Sequence, residues 1–213
     1  MKHLCVFGIF LTEEGKLIRD EMLKWLEPSY DVTCIEQQPP GKQFEYPAIK
    51  KVGELSVEKN QPVLYIHTKG AANKIPTWVS KMMNKKLFNV PSTAKPEDCQ
   101  RTIRNLWKHE FTGTRLEEYL SKCNTNKPTV CCPYTGSLKW TWWNAWLINP
   151  PAAKIMLKNL KKSEYRWYYE RVFGTIKEIN VIGMRLNNLK LETFDETKEL
   201  WNDIWSFYEE NNE

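Results

Sequence analysis

Long apolar runs are missing from this chain of 213 residues, whose mean hydropathy is -0.59, and their absence excludes a membrane-spanning helix. Histidine is scarce, with three residues, and the six cysteines (Cys5, Cys34, Cys99, Cys123, Cys131 and Cys132) never fall at CxxC spacing, so a zinc site lacks its usual ligand cluster. Scattered in this way they read as reduced, mostly buried thiols of a cytoplasmic protein, with the adjacent Cys131 and Cys132 pointing to opposite faces of a strand. The N-terminus lacks the charged, apolar and small-residue regions of a signal peptide, so secretion is not expected. No repeat, low-complexity tract or long linker interrupts the chain. A hydrophobic share of 41% and a charged share of 27% are globular values, which exclude disorder and rod-like folds. The expectation is one domain over residues 1–213, with a nucleotide-binding half over 1–74, an acceptor and catalytic half over 75–191, and a docked acidic helix over 192–213.

Charge is present but uneven. The net charge is +5, yet from Glu192 onward eight acids face one lysine, leaving a body of +12. A basic body suits a phosphate-bearing ligand or an anionic surface, and a solvated lysine coat is the competing reading.

The first third alternates strands and helices. An apolar run from Leu4 to Phe10 predicts a strand, and Thr12 with Glu13 and Glu14 caps and charges a helix through Leu26. Strands follow over Val32 to Glu36 and Val63 to His67, around a helix from Tyr46 to Lys59. This order implies a mostly parallel, Rossmann-like sheet with helices on its faces and a helical C-terminal part, and in such sheets ligands bind beyond the carboxyl ends of the strands. Helical character is expected from Ile75 to Tyr119 with breaks near Val90 and Thr112, a strand from Thr129, a helix begun by Pro150 and Pro151, and another over Tyr165 to Phe173. The last helix places Leu200, Trp201, Ile204, Trp205 and Tyr208 on one stripe and should dock.

Three segments could carry chemistry. In Leu64-Tyr65-Ile66-His67-Thr68-Lys69-Gly70-Ala71 a strand delivers a histidine, a hydroxyl and a lysine to the sheet end, and Gly70 permits a tight turn. Lys69 supplies a point charge and Thr68 a donor, which together suit a phosphate; the alternative is a satisfied strand-end histidine beside a surface lysine. Trp140-Thr141-Trp142-Trp143-Asn144-Ala145-Trp146 holds four tryptophans in seven residues, a stacking platform for sugar rings or bases, or else core packing. In Arg166-Trp167-Tyr168-Tyr169-Glu170-Arg171, Glu170 either pairs with Arg166 on a helix surface or faces a cleft as a general base.

In this order the three segments resemble a family of small glycosyltransferases with a GT-A-like fold, found in bacterial capsule and surface-polysaccharide clusters and in large DNA viruses. The matching residues are Tyr65 to Gly70, Trp78 with Met82, Gly136 with Trp142 and Trp143, and Arg166 to Glu170, within a span from Phe7 to Gly174. The resemblance implies an enzyme that moves a sugar from a nucleotide-diphosphate donor to a glycan or glycoconjugate. Phe7, Gly8, Thr12 and Glu36 would seat the nucleoside, and His67, Lys69 and Gly70 the diphosphate. Trp142, Trp143 and Asn144 would shape the sugar site, and in an inverting enzyme Glu170 would be the base. Two departures stand out. The Asp-x-Asp pair by which GT-A enzymes usually hold a divalent metal is absent from the chain, leaving Mn²⁺ or Mg²⁺ dependence open, and Val79 replaces the arginine that usually follows the helix tryptophan. The rival readings are a non-catalytic carbohydrate-binding module and a nucleic-acid-binding protein; the latter is disfavoured because the lysines are dispersed and no known RNA module motif is present. The expected partners are therefore a nucleotide sugar and a glycan acceptor, with no membrane span and room for peripheral association.

Overall fold

The computed structural model describes residues 2–37, 45–68, 91–95, 98–136, 139, 141, 144–163, 168–189 and 198–211. Their order is β1 (His3–Phe10), α1 (Glu13–Leu26), β2 (Tyr30–Gln37), α2 (Tyr46–Lys59), β3 (Val63–His67), α3 (Asp98–Glu110), α4 (Gly113–Cys123), β4 (Thr129–Gly136), β5 (Trp146–Ile148), α5 (Pro150–Asn159), α6 (Tyr168–Arg171), a 3₁₀ turn (Val172–Thr175), β6 (Asn180–Leu189) and α7 (Lys198–Asn211). The fold is α/β, a six-stranded sheet in the order β2-β1-β3-β5-β4-β6 flanked by helices.

Local chemistry sets the element ends. The Thr12 hydroxyl accepts from the Gly15 N–H at 3.0 Å and caps α1, whose first turn carries Glu13 and Glu14 and whose last turn carries Lys24. Ile18, Met22 and Leu26 recur at helical spacing and form its buried stripe. Pro47 sits in the first turn of α2, where its missing N–H does no harm, and Asn60 closes that helix at φ +52°. Asn149 caps α5 and also binds Thr129 through the same side-chain oxygen, while its amide nitrogen donates to the carbonyls of Cys123, Thr125 and Lys127. One side chain thus ties the start of α5 to the turn before β4.

The sheet is mixed but mostly parallel, as expected, with five of the six described strands running one way and β5 the other. β1 runs parallel to β2 and β3, and β4 parallel to β6, but β5 is antiparallel to both of its neighbours. The reason is connection length: nine residues join Gly136 to Trp146, too few for the crossover that a parallel pair requires. β6 was not foreseen from the sequence.

Alternating residues of the strands feed two cores. Cys5, Phe7, Ile9, Leu64, Ile66, Cys131 and Leu147 pack under α1, α3, α4 and α7, whereas Leu4, Val6, Val63, Tyr65, Cys132, Trp146 and Ile148 pack under α2, α5 and α6. Cys131 and Cys132 do face opposite ways, five of the six thiols are buried, and all six are free. The last helix docks with Leu200, Trp201, Ile204, Trp205 and Tyr208 buried, as its stripe implied, and adds Phe207. Among the described residues no helix is long and apolar enough to cross a membrane.

Candidate functional site

The parallel strands β1, β2 and β3 end on one edge, at Phe10, Gln37 and His67. Because β5 is reversed, it begins on that same edge, at Trp146. Thr68 continues the β1–β3 pairing past the end of β3. Its N–H donates to the Gly8 carbonyl at 3.0 Å and its hydroxyl accepts from the Phe10 N–H at 3.0 Å.

Just inside the edge, on the α2 side, lies a directed hydrogen-bond chain. The Gln37 amide donates to the Tyr65 hydroxyl at 2.8 Å, and that hydroxyl donates to the Glu45 carboxylate at 3.0 Å. The Asn144 amide donates to the same carboxylate oxygen, while the Trp146 indole N–H donates to the Asn144 carbonyl oxygen at 2.7 Å. Every arrow ends on Glu45, as suits an ionised carboxylate. Burial, then the charge of Glu45 and the hydrogen bond to it, push the Tyr65 phenol well above its ordinary value, which keeps the hydroxyl a neutral donor. The carbonyl oxygen of the Gln37 amide is buried and, among the described residues, has no hydrogen-bond partner. Gly8 makes the chain possible: a Cβ there would stand 2.4 Å from the Gln37 amide nitrogen and 3.3 Å from the Tyr65 oxygen. Asn144 is wholly buried at φ +55°, a left-handed conformation that Asn tolerates and most residues do not.

The residues named from the sequence fall in different surroundings. Phe7 is fully buried in the core under α1, so beyond packing it offers a ligand only its backbone. Gly8 faces the Gln37–Tyr65 pair, and Thr12 is the α1 cap. Glu36 is exposed on the opposite, α1 side of the sheet, in a shallow groove of about 360 Å³ lined also by Ile9, Leu11, Arg19, Asp20 and Cys34. His67 is buried between the rings of Tyr65 (6.2 Å, stacked), Phe10 (6.4 Å) and Trp107 (5.6 Å). Asn144 joins the hydrogen-bond chain. Lys69, Gly70, Trp78, Met82, Trp140, Trp142, Trp143, Arg166 and Trp167 lie outside the described residues, as does the helix expected over Ile75 to Phe88.

Glu170 is half-buried in the single turn of α6. Its backbone carbonyl accepts from the Thr141 N–H at 3.0 Å and from the Thr141 hydroxyl at 3.4 Å. Thr141 in turn bridges to Thr135 near the end of β4, so the backbone of Glu170 is stapled to the tryptophan-rich segment. Sequence reasoning missed Gln37 and Glu45 and treated Tyr65 only as part of a motif. The signal available for Tyr65 was period-2 alternation, which puts it on the same strand face as His67; nothing local distinguished Glu45 from other surface acids. Among the described residues no three His, Cys, Asp or Glu side chains gather where they could hold a metal ion. Comparison with models of protein families, with curated proteins and with solved structures gives no match.

Proposed function

We propose that this chain is a glycosyltransferase on a GT-A-like fold, moving a sugar from a nucleotide-diphosphate donor to a glycan or glycoconjugate acceptor. The observation that carries the reading is the convergence at one sheet edge of the carboxyl ends of three parallel strands, a glycine that leaves room, and the buried polar chain Gln37–Tyr65–Glu45–Asn144. Ligands of α/β sheets bind at such edges. In this reading Lys69 and His67 hold the diphosphate, whose developing charge is the main electrostatic task, and the tryptophan-rich segment anchored by Asn144 receives the sugar. Glu170 takes the proton of the acceptor hydroxyl as its oxygen bonds to the anomeric carbon. The bond from that carbon to the diphosphate breaks, and the nucleoside diphosphate leaves with its electron pair. That stereochemistry is inverting.

A thermal-shift panel of nucleotide sugars, with and without Mn²⁺, tests the proposal. A specific donor should raise the melting temperature by mass action, and Lys69→Ala should remove both the shift and transfer without unfolding the chain. No stabilisation by any nucleotide sugar would overturn it. Stabilisation by free glycans alone would favour the non-catalytic carbohydrate-binding module, a reading supported by the missing Asp-x-Asp pair.

A further inference from the structure

From Tyr119 to Ser163 the chain has no aspartate or glutamate and seven lysines. Lys122 sits on α4, on one side of the sheet, but four of the seven, Lys154, Lys158, Lys161 and Lys162, belong to α5 and the segment after it, on the other side. Ala152, Ala153 and Met156 turn α5 toward the sheet, so Lys154 and Lys158, one helical turn apart, point outward and are exposed, as are Lys161 and Lys162. Pro151 and Ile155, both half-buried, lie one step round the helix from this lysine row. Among the described residues no carboxylate forms an ion pair with any of the four lysines. The acids of neighbouring α2 do not neutralise them either: Glu54 is held by Lys50 at 3.5 Å and Glu58 by Lys59 at 2.9 Å. The row also has a position relative to the candidate site. α5 starts after β5 at the far edge and runs back toward the carboxyl edge, where the Lys162 ammonium stands 5.7 Å from the ring of Tyr46, the residue after Glu45.

We infer that the α5 face is a docking surface for an anionic phospholipid bilayer. Its chemistry fits a flat, diffuse negative surface. Lysine point charges on flexible stems suit a headgroup layer, and the apolar flank of Pro151 and Ile155 suits the layer's upper boundary. Each lysine near such a surface adds attraction that salt screens. Arginine, the residue that reads nucleic-acid phosphates and bases in fixed geometry, does not occur in this 45-residue stretch. Docked in this way, the protein would hold the carboxyl edge of the sheet next to the membrane, within reach of an acceptor carried there. The inference does not need the transferase reading, since binding is measured without turnover.

The test is co-sedimentation of the full chain with vesicles of phosphatidylcholine alone or mixed with phosphatidylserine, across a salt series. Binding should need the anionic lipid and fall as salt rises. Lys154→Gln with Lys158→Gln should weaken it by about 30-fold with an unchanged melting temperature. Lys122→Gln, on α4 across the sheet, should have no more than a small effect. Equal binding to both vesicle types, or full binding by the double variant, would overturn the inference. So would lysine-dependent binding to single-stranded DNA without vesicle binding, which would assign the face to nucleic acid.

Discussion

Gly8 shows how much one missing Cβ allows. Its hydrogen leaves the space in which Gln37 and Tyr65 meet, and Gly8→Ala would put a methyl group 2.4 Å from the Gln37 amide nitrogen. The side chain of Gln37 reaches from β2 over Gly8 of β1 to Tyr65 of β3, so a methyl at Gly8 forces it to shift or to break its bond to Tyr65. We expect a loss of about 1–3 kcal/mol, the usual range for overpacking, measured by denaturant titration. Stability within about 0.5 kcal/mol of wild type, the range of an ordinary surface substitution, would mean that the chain of hydrogen bonds repacks freely. Glu170 is the second residue to test. Glu170→Gln keeps the shape and leaves the backbone carbonyl bound to Thr141, but the side chain can no longer take a proton. Transfer should drop by roughly 10²-fold or more with donor affinity retained. Wild-type rates would move the search for a base to Glu45, the carboxylate on which the buried hydrogen bonds converge.

At the scale of elements, α7 is held by more than its apolar stripe. Asp203 accepts from the Arg185 guanidinium of β6 at 2.8 and 2.9 Å and from the Tyr134 hydroxyl of β4. At the near end of the helix stack, Tyr208 approaches Asp98 of α3 at 3.4 Å. These polar ties fix the rotation and slide of α7 on the sheet, which apolar contact alone specifies loosely. Asp203→Ala should cost about 2 kcal/mol, because the charged hydrogen bonds from Arg185 and the hydrogen bond from Tyr134 are lost. Amide exchange over Lys198–Asn211 should quicken more than exchange over β1–β3. Uniform quickening across both would show that α7 is inseparable from the global fold.

For the whole molecule, a pH dependence of stability should come from Glu110. This carboxylate is fully buried at the end of α3, bound by Arg115 at 2.8 Å, by Arg185 at 3.1 Å and by the Tyr119 hydroxyl at 2.9 Å. Burial works to raise its pKa, but the hydrogen bond and charge of Arg115, with those from Tyr119 and Arg185, outweigh it and hold the group below the ordinary glutamate range. A folded-state pKa below the unfolded one means stability that is present above the unfolded value, near 4.3, and lost as pH falls through the folded value. Folding free energy measured between about pH 3 and 6 should therefore fall toward acid, and Glu110→Gln should flatten that slope while lowering stability at neutral pH. An unchanged slope in the variant would place the acid sensitivity elsewhere.

Local order in the N-terminal third was legible without coordinates. The capping hydroxyl of Thr12, the apolar spacing of α1, the limits of α2 from Tyr46 to Lys59 and those of β3 from Val63 to His67 all follow from interactions within a few residues, and short-range physics is written in short windows of sequence. The docking of the last helix was legible for the same reason, its stripe being continuous. The parallel run of most strands was legible too, but strand order was not. That β5 lies between β3 and β4, and that Asn180–Leu189 adds a sixth strand beside β4, depends on partners far away in the chain, which no local pattern encodes. The hydrogen-bond chain at the carboxyl edge is also a tertiary product. Gly8, Gln37, Glu45, Tyr65, Asn144 and Trp146 span 139 positions of sequence, and each is unremarkable in its own window. Only folding brings Asn144 to Glu45 and clears the room at Gly8. Residue types and periodicity thus decided which elements form, whereas pairing between distant strands decided which polar groups meet at the candidate site.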